Sequence, residues 1–433
     1  MKKDTLVIVG ASLAGGSGAV QLRKEGFDGR IVLVGEESEA PYERPELSKG
    51  YLRGTKERGK LDVRETAFYG ENSIELLTST RVTAIDAKAR DVLLSDRQRI
   101  RFDGLLLATG SSPRRLRLPG SDLGGIHYLR TVSDSNAIRE AAAGAHKAVV
   151  VGGGWIGAEV AASLRELGLE VTMVLPEPAP LERVLGPEVG AVYRDLHRQH
   201  GVELRPGQRL SAFLGRSSIQ AVQTGDGTRI PCDFVVVGAG ASPRIELAIQ
   251  AGLDVAGGVL VDARLETSVP GIYAAGDVAE AWNPALETRI RVEHWDNAKR
   301  QGRAAARNML GVGEPYDGIP YFYSDQYDLG MEYSGYAPSW DRVVFRGDPA
   351  SRQFIAFWLR DGRVVAGMNA NIWEVNDALA GLVRSGHEVS VERLTDESVP
   401  LEDLDALRAE PAIGSPSSRR EEAGTPPAEK PRP

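Results

Sequence analysis

The sequence predicts an α/β protein: two open, parallel-sheet units of the Rossmann-like type, followed by a smaller α+β unit. Three observations carry that prediction. A β-branched run closing in glycine occurs twice, TLVIVG at 5–10 and AVVVG at 148–152. Each copy runs into a glycine cluster and then an amphipathic stretch, the order of a βαβ unit. LLLATGSSPR at 105–114 then finds its counterpart in VVVGAGASPR at 235–244, so a whole unit repeats and not one motif alone.

Taken in order, Leu6–Val9 opens the first unit, Ala14–Lys24 is its helix and Ile31–Val34 its next strand. Ala148–Val151, Ile156–Leu167 and Val171–Leu175 repeat the series. Hairpin material precedes each closing strand. Gly225-Asp226-Gly227, between Ala221-Val222 and Ile230, suits a tight turn because Asp and Gly tolerate left-handed backbone. From about 319, aromatic and polar residues alternate in YFYSDQYDLGMEYSG, and FIAFWL meets VVAGM across Arg360-Asp361-Gly362-Arg363, the pattern of an antiparallel sheet with an Asp-Gly hairpin. Residues 372–386 read as a helix. The stretch from 409, rich in Pro, Glu, Ser and Arg, has too little apolar content to fold and is expected to be a disordered tail.

Composition bounds the function. The 433 residues allow about three domains at roughly 150 residues each. With 42% hydrophobic residues and a net charge of −8, the chain is globular and argues against nonspecific binding of nucleic acid. Cys232 is the single cysteine, which excludes a disulfide framework, a Cys-based zinc site and a catalytic Cys pair, and fits a reducing, cytoplasmic setting. No apolar run approaches the roughly 18 residues a membrane span needs. The sequence assigns no oligomeric state.

Gly152-Gly153-Gly154-Trp155-Ile156-Gly157 is a full G-x-G-x-x-G between a strand and a helix, where backbone amides and the helix amino terminus face a pyrophosphate. Glu177, 25 positions beyond Gly152, sits where a ribose hydroxyl is bound. The first cluster, Gly10-Ala11-Ser12-Leu13-Ala14-Gly15, has serine at the middle glycine's place, which fits if its φ stays negative. Glu36 lies 26 positions after Gly10 and predicts a second nucleotide. His197 and His200, three apart on a probable helix without an acid in register, read as surface residues and not as metal ligands.

PYERPELSKGYL at 41–52, LLLATGSSPR, GGGWIGAE at 152–159, TSVPGIYAAGD at 267–277 and RVEHWDNAKRQGRAAARNML at 291–310 together resemble the FAD-dependent ferredoxin and rubredoxin reductases over nearly all of residues 4–405. Apoptosis-inducing factor and monodehydroascorbate reductase look like more distant relatives. The resemblance implies an FAD domain from 1–111 and 241–318, an NAD domain at 112–240, and a carboxy-terminal interface domain at 319–408 ahead of the tail at 409–433. It puts FAD contacts on Gly10, Gly15, Glu36, Arg44, Lys49, Val82, Arg130, Asp277, Trp295 and Tyr323, and Ser12, Ala14 and His294 are expected to bind cofactor as well. The nicotinamide nucleotide is expected on Gly152, Gly154, Ile156, Gly157, Glu177, Arg183 and Gly240.

Physical roles can be argued beside it. Asp277 ends an apolar run at a Gly-Asp turn and can accept hydrogen bonds from ribityl hydroxyls. Asp296 and Asn297 are good caps for a helix running to Leu310, whose positive end would face the flavin. Arg44 and Arg130 can neutralise a pyrophosphate. Lys49 and Glu159 are the catalytic pair the resemblance implies at the nicotinamide, orienting the ring by their charges, since hydride transfer is the cofactor's chemistry. Glu177 disfavours a 2′-phosphate, so NADH is expected ahead of NADPH, with Arg183 near enough to soften the preference.

No Cys pair lies near the flavin, so electrons are expected to go to an outside acceptor such as a ferredoxin that feeds an oxygenase. Arg300, Arg303 and Arg307 share a helix face that can dock an acidic partner, though a solvated face is the plainer reading. Trp282, Trp295 and Trp373 suit a flavin-edge surface or a core equally. A sensor that binds NADH and recruits a partner, or a reductase of a small radical or quinone, remain the alternatives.

Overall fold

A computed structural model describes residues 4–404; the predicted tail lies outside the described residues. The two apolar repeats become two five-stranded parallel sheets. In the first, Thr5–Val9 lies between Arg30–Val34 and Gly104–Leu107, with Ile74–Leu77 and Ile272–Ala274 at the edges. In the second, Lys147–Val151 lies between Glu170–Val174 and Phe234–Val237, with Glu203–Arg205 and Ile126–His127 outside. Equivalent strands hold equivalent places. Only the edge strand beside each closing strand differs in origin: it comes from far downstream in the first unit and from just upstream in the second.

Central strands covered on both faces need continuous apolar runs, and Leu6, Val7 and Ile8 are fully buried. Each unit also carries a three-stranded meander, Val82–Asp86, Asp91–Leu94 and Arg99–Arg101 in one, Leu210–Gly215, Ile219–Thr224 and Arg229–Pro231 in the other. The chain crosses between the units twice, and the crossings pair: Ser111–Pro113 runs antiparallel to Ala241–Pro243.

The carboxy-terminal unit is a five-stranded antiparallel sheet in the order Tyr321–Gln326, Leu329–Gly335, Arg363–Ala370, Gln353–Arg360, Arg342–Asp348. Its predicted hairpin turns on Asp361 and Gly362, both at positive φ (51° and 74°), as a mirror-image turn requires. Helix Asn376–Ser385 falls inside the predicted 372–386.

Two packing choices bring the three units to one place. Helix Glu182–Gln199 follows the second unit's strands, yet its apolar stripe, Leu185, Val189, Tyr193 and Leu196, shares a core with Met331, Tyr333 and Trp358 of the carboxy-terminal sheet. The helix breaks at Gly186 (φ 84°) before Pro187, and the Trp358 indole donates to the Leu185 carbonyl at 3.1 Å. Conversely, segment 41–52 leaves the first unit so that Leu47, Tyr51 and Leu52 pack with Val160, Ala161 and Leu164 of the second. Ser135 donates to the Leu47 carbonyl at 2.8 Å and Ser163 to that of Ser48 at 2.6 Å, which fixes the 3-10 turn Pro45–Ser48 and Lys49 just after it.

Candidate active site

Both glycine clusters are built alike. Gly10 has φ +114°, and a Cβ there would stand 2.1 Å from the Ala108 carbonyl oxygen; one on Gly15 would stand 1.9 Å from that of Gly10. Gly152 has φ +100° with the Gly238 oxygen 2.4 Å from its Cβ position, and Gly157 would meet the Gly152 oxygen at 2.1 Å. The outer positions therefore exclude any side chain. The middle positions do not: Ser12 (φ −103°, ψ −158°) and Gly154 (φ −75°, ψ −177°) are both extended, so the serine is unstrained as its negative φ required.

A cleft of about 940 Å³ joins the two turns, at the upper end of the usual range for small-molecule sites. Ser12, Ala14 and Arg44 line one end, and Gly154, Ile156, Glu177, Arg183 and Gly240 the other. Gly152 lines it too. Lys49, Arg130, Glu159, Asp277, His294, Trp295 and Tyr323 stand between. Gly10, Gly15 and Gly157 form the turns beneath, while Glu36 and Val82 lie off the cleft wall.

At the centre, Lys49 Nζ is 2.8 Å from Glu159 Oε2, and both side chains are buried. The expected pair is thus in contact. Sequence reasoning missed its supports: Ser48 Oγ donates to Glu159 Oε2 at 2.5 Å and Ser324 Oγ to Oε1 at 2.7 Å. The Lys49 ammonium also lies over the Tyr323 ring, 5.4 Å from its centroid. A signal for Ser324 did exist. In Tyr321–Gln326 the even residues face inward, and a serine and a glutamine there need buried partners.

Asp277 is buried with Arg130 Nη2 at 2.7 Å and Ser111 Oγ at 2.8 Å. Burial works to raise its pKa, but the Arg130 charge and the Ser111 hydrogen bond outweigh it and hold the carboxyl below its usual range. Arg44 Nε reaches Ser12 Oγ at 3.1 Å, and its Nη2 pairs with Glu37 at 2.6 Å. Each of the two arginines expected at a pyrophosphate therefore has a carboxylate partner here.

Several expectations are corrected. The helix over the cleft, Trp295–Met309, is capped by His294, whose Nδ1 accepts from the Asp296 amide at 3.3 Å, and not by Asp296 or Asn297. Asp296 instead pairs with Arg300 one turn on, and Asn297 donates to the Val292 carbonyl at 3.0 Å. Burial, aided by the Lys49 charge, pushes the His294 pKa down to about 3, so its ring is neutral. Beside these corrections, Glu36 is found bridging Arg81 at 2.5 Å and Arg244 at 2.8 Å. His197 is not on the surface: it is fully buried against Gln326. The signal was its place four residues after Tyr193, at the edge of the apolar stripe.

Arg300 and Arg307 are held in ion pairs, to Asp296 and to Glu25 and Glu314, so the helix face is not three free charges. Trp282 and Trp373 are exposed and Trp295 is partly buried. Cys232 is buried, and burial raises its thiol pKa to about 12, which keeps it inert. No cluster of metal-ligating side chains occurs among the described residues, and no helix among them is long and apolar enough to cross a membrane.

Two nucleotide turns opening on one cleft, with a buried charge pair between them, define a dinucleotide-dependent oxidoreductase. The chain belongs to the pyridine nucleotide-disulphide oxidoreductase family, whose pattern matches residues 4–302, and a reductase C-terminal domain matches 321–405. The family works with FAD and a nicotinamide nucleotide. Putidaredoxin reductase of Pseudomonas putida is 37% identical over 407 residues, 93% of this chain and 96% of its own. The ferredoxin–NAD(+) reductase component of the anthranilate 1,2-dioxygenase system of Burkholderia cepacia is 39% identical, over 93% and 99% respectively. The reductase in a solved covalent putidaredoxin reductase–putidaredoxin complex superposes with a TM-score of 0.90 at 37% identity, over 94% of this chain and 99% of that one.

Proposed function

We propose that this chain is an NADH-dependent FAD reductase that passes electrons singly to a small ferredoxin-type iron–sulfur protein feeding an oxygenase. The observation that carries the reading is the buried Lys49–Glu159 pair between two dinucleotide turns, in a chain whose only thiol is buried elsewhere. A disulfide route has no residues to run on. The similarity to reductases named for ferredoxins and for putidaredoxin supports an iron–sulfur acceptor. The two parallel sheets support the division into an FAD domain (1–111, 241–318), an NAD domain (112–240) and an interface domain (319–408).

The residues fit FAD. Gly10 and Gly15 leave a cradle that a Cβ would fill, and Trp295 Nε1 is a buried donor without a protein partner on a residue that lines the cleft. Bound FAD supplies the chemistry of accepting a hydride and releasing electrons one at a time. Ser12, Ala14, Arg44 and Arg130 serve its pyrophosphate and Asp277 its sugar chain. Glu36 gives up one arginine to a ribose hydroxyl, and Val82 contributes backbone. His294 and Trp295 present the amino end of the covering helix, whose partial positive charge favours electron density nearby, and Tyr323 of strand Tyr321–Gln326 packs edge-on against both.

Gly152, Gly154, Ile156, Gly157 and Gly240 hold the pyrophosphate of NADH, and Lys49 and Glu159 orient its nicotinamide. Glu177 accepts from the adenosine ribose and repels a 2′-phosphate; a like-charge pair about 4 Å apart costs about 4 kcal/mol at an effective dielectric of about 20, before screening. Arg183 offsets part of this. The reading puts the enzyme in the cytoplasm, where an unpaired Cys232 is at home.

Anaerobic stopped flow tests it. Rapid bleaching of the yellow holoenzyme by NADH, slower bleaching by NADPH, and fast reoxidation by an added ferredoxin are expected. Glu177→Gln should narrow the NADH-to-NADPH ratio by roughly tenfold, the equivalent of about 1.4 kcal/mol. A long-lived NADH complex that no acceptor discharges would overturn the reading in favour of a sensor.

A further inference from the structure

Glu159 receives more hydrogen bonds than an ion pair needs, and one of them begins a line that leaves the cleft. Gln326 Nε2 donates to Ser324 Oγ at 3.2 Å, and the His197 ring meets Gln326 Oε1 at 2.9 Å. Since the amide nitrogen of Gln326 faces Ser324, its oxygen can only accept. His197 therefore carries its proton on Nε2 and presents Nδ1 as an acceptor. The Tyr327 hydroxyl stands 3.5 Å from that Nδ1, at the limit of contact. Every link donates the same way, from His197 through Gln326 and Ser324 to the Glu159 carboxylate.

The line is shielded from water. His197 and Ser324 are 0% exposed, Gln326 1% and Glu159 5%. Burial pushes the His197 pKa down to about 4, so the ring stays a neutral donor at working pH. In a low dielectric, hydrogen bonds aligned in series polarise one another and hold their acceptor more firmly. Three elements supply the members: helix Trp155–Glu166 gives Glu159, helix Glu182–Gln199 gives His197, and strand Tyr321–Gln326 of the carboxy-terminal sheet gives Ser324 and Gln326. Lys49 and Ser48 touch only Oε2, so Oε1 has Ser324 as its hydrogen-bond donor.

We propose that Ser324, Gln326 and His197 are positioning residues for hydride transfer: a one-way hydrogen-bond chain that fixes the Glu159 carboxylate beside Lys49. The proposal rests on the reading of Lys49 and Glu159 as the pair that orients the nicotinamide. The chain orients and does not conduct, because the Gln326 amide cannot pass a proton along by hopping. It also gives the carboxy-terminal domain a part in the reductive step, separate from any contact with an acceptor.

The test uses the holoenzyme. In single-turnover reduction by NADH, Ser324→Ala and Gln326→Leu should lower the limiting rate constant by roughly tenfold while the NADH Kd stays within about twofold and flavin content is kept. Ser324→Thr, which retains the hydroxyl, should restore most of the rate. A second readout needs no turnover: in histidine-labelled protein, nitrogen NMR should find His197 as the Nε2–H tautomer. Glu159→Gln should move its ring resonances although the two residues do not touch. If Glu159→Gln slows reduction but Ser324→Ala and Gln326→Leu do not, the chain is overturned and the pair survives. If Glu159→Gln leaves the limiting rate unchanged, the pair reading fails and takes the chain with it. Should Ser324→Ala lose flavin, an unmoved His197 resonance in Glu159→Gln overturns the proposal by itself.

Discussion

The two dinucleotide units share a strand order, a turn and a meander, and they differ in what covers the helix after the turn. In the first, helix Leu13–Lys24 is roofed by Trp295–Met309 backbone to backbone: a Cβ on Gly302 would stand 2.2 Å from the Ala14 oxygen, and one on Gly18 would stand 3.2 Å from the Gly302 oxygen. In the second, helix Trp155–Glu166 meets polar groups from elsewhere, Ser48, Lys49 and Ser324, all converging on Glu159. The residue at the fifth cluster position follows suit, Ala14 at 6% exposure and Ile156 at 42%. One frame is closed around its turn and the other is left open with a charge pair beside it. The closed frame suits a cofactor that stays and the open one a nucleotide that comes and goes.

The comparison breaks most severely at the charge pair. Lys49→Met leaves the Glu159 carboxylate buried without its counter-charge, and such losses cost about 3–5 kcal/mol. Urea unfolding of the holoenzyme should register that drop. The first unit offers a control in Arg30–Glu75, 2.7 Å apart but about half exposed. Arg30→Met should cost less than about 1 kcal/mol. Equal effects at the two sites would mean the second helix is not held by its polar cover.

Acid separates the frames next. His294 caps the helix that covers the first unit's helix and His197 stands behind Glu159 of the second, and both are buried with depressed pKa values, about 3 and about 4. Below pH 6.5 the unfolded chain binds protons that the folded state refuses, so stability falls as pH falls. Between pH 6.5 and 5 each histidine should remove about 2 kcal/mol. His197→Gln flattens only its own share of that slope, which denaturant titrations at the two pH values can read. A slope unchanged by His197→Gln would mean the ring is not buried neutral.

Glycine substitutions sharpen the same contrast. Gly302→Ala gains about 1 kcal/mol of helix propensity but drives a methyl into the Ala14 carbonyl, and overpacking against backbone costs up to about 3 kcal/mol. A net loss of about 2 kcal/mol with loosened FAD is expected. Gly154→Ala meets nothing within 4 Å. It should leave the melting temperature within about 1 °C while weakening NADH binding, because the open space belongs to the proposed pyrophosphate site.

Much of this was legible in the sequence, for reasons that differ by residue. The doubled frame announced itself because parallel strands buried on both faces demand apolar runs, and turns such as Gly10 and Gly152 admit no other residue. Lys49 and Glu159, 110 positions apart, came only through the resemblance, since nothing local links them. What failed was partnership. Asp296 has the chemistry of a cap, but His294, reaching from the residue before the helix, took the amide. Around Glu36 the sequence did not show that Arg81 and Arg244, from a meander and from a crossing, converge on it. His197 looked solvated because spacing tells which face of a helix a residue shares and not which sheet will cover it.

The smallest expected effect concerns the one motif glycine that the first cluster lacks. Ser12 occupies the cap position of helix Leu13–Lys24 but makes no side-chain capping bond; its hydroxyl is engaged with Arg44 instead. Replacing a capping serine by glycine costs only a few tenths of a kcal/mol, and here even the cap is not lost. Ser12→Gly therefore gives the first cluster the same glycine pattern as the second at about 0.3 kcal/mol, with the frame closed as before. If closure by Trp295–Met309 is what keeps FAD in place, flavin content after dialysis should be unchanged. If the variant sheds its flavin, the serine holds Arg44 against the pyrophosphate, and the two units differ by chemistry at the turn as much as by what covers it.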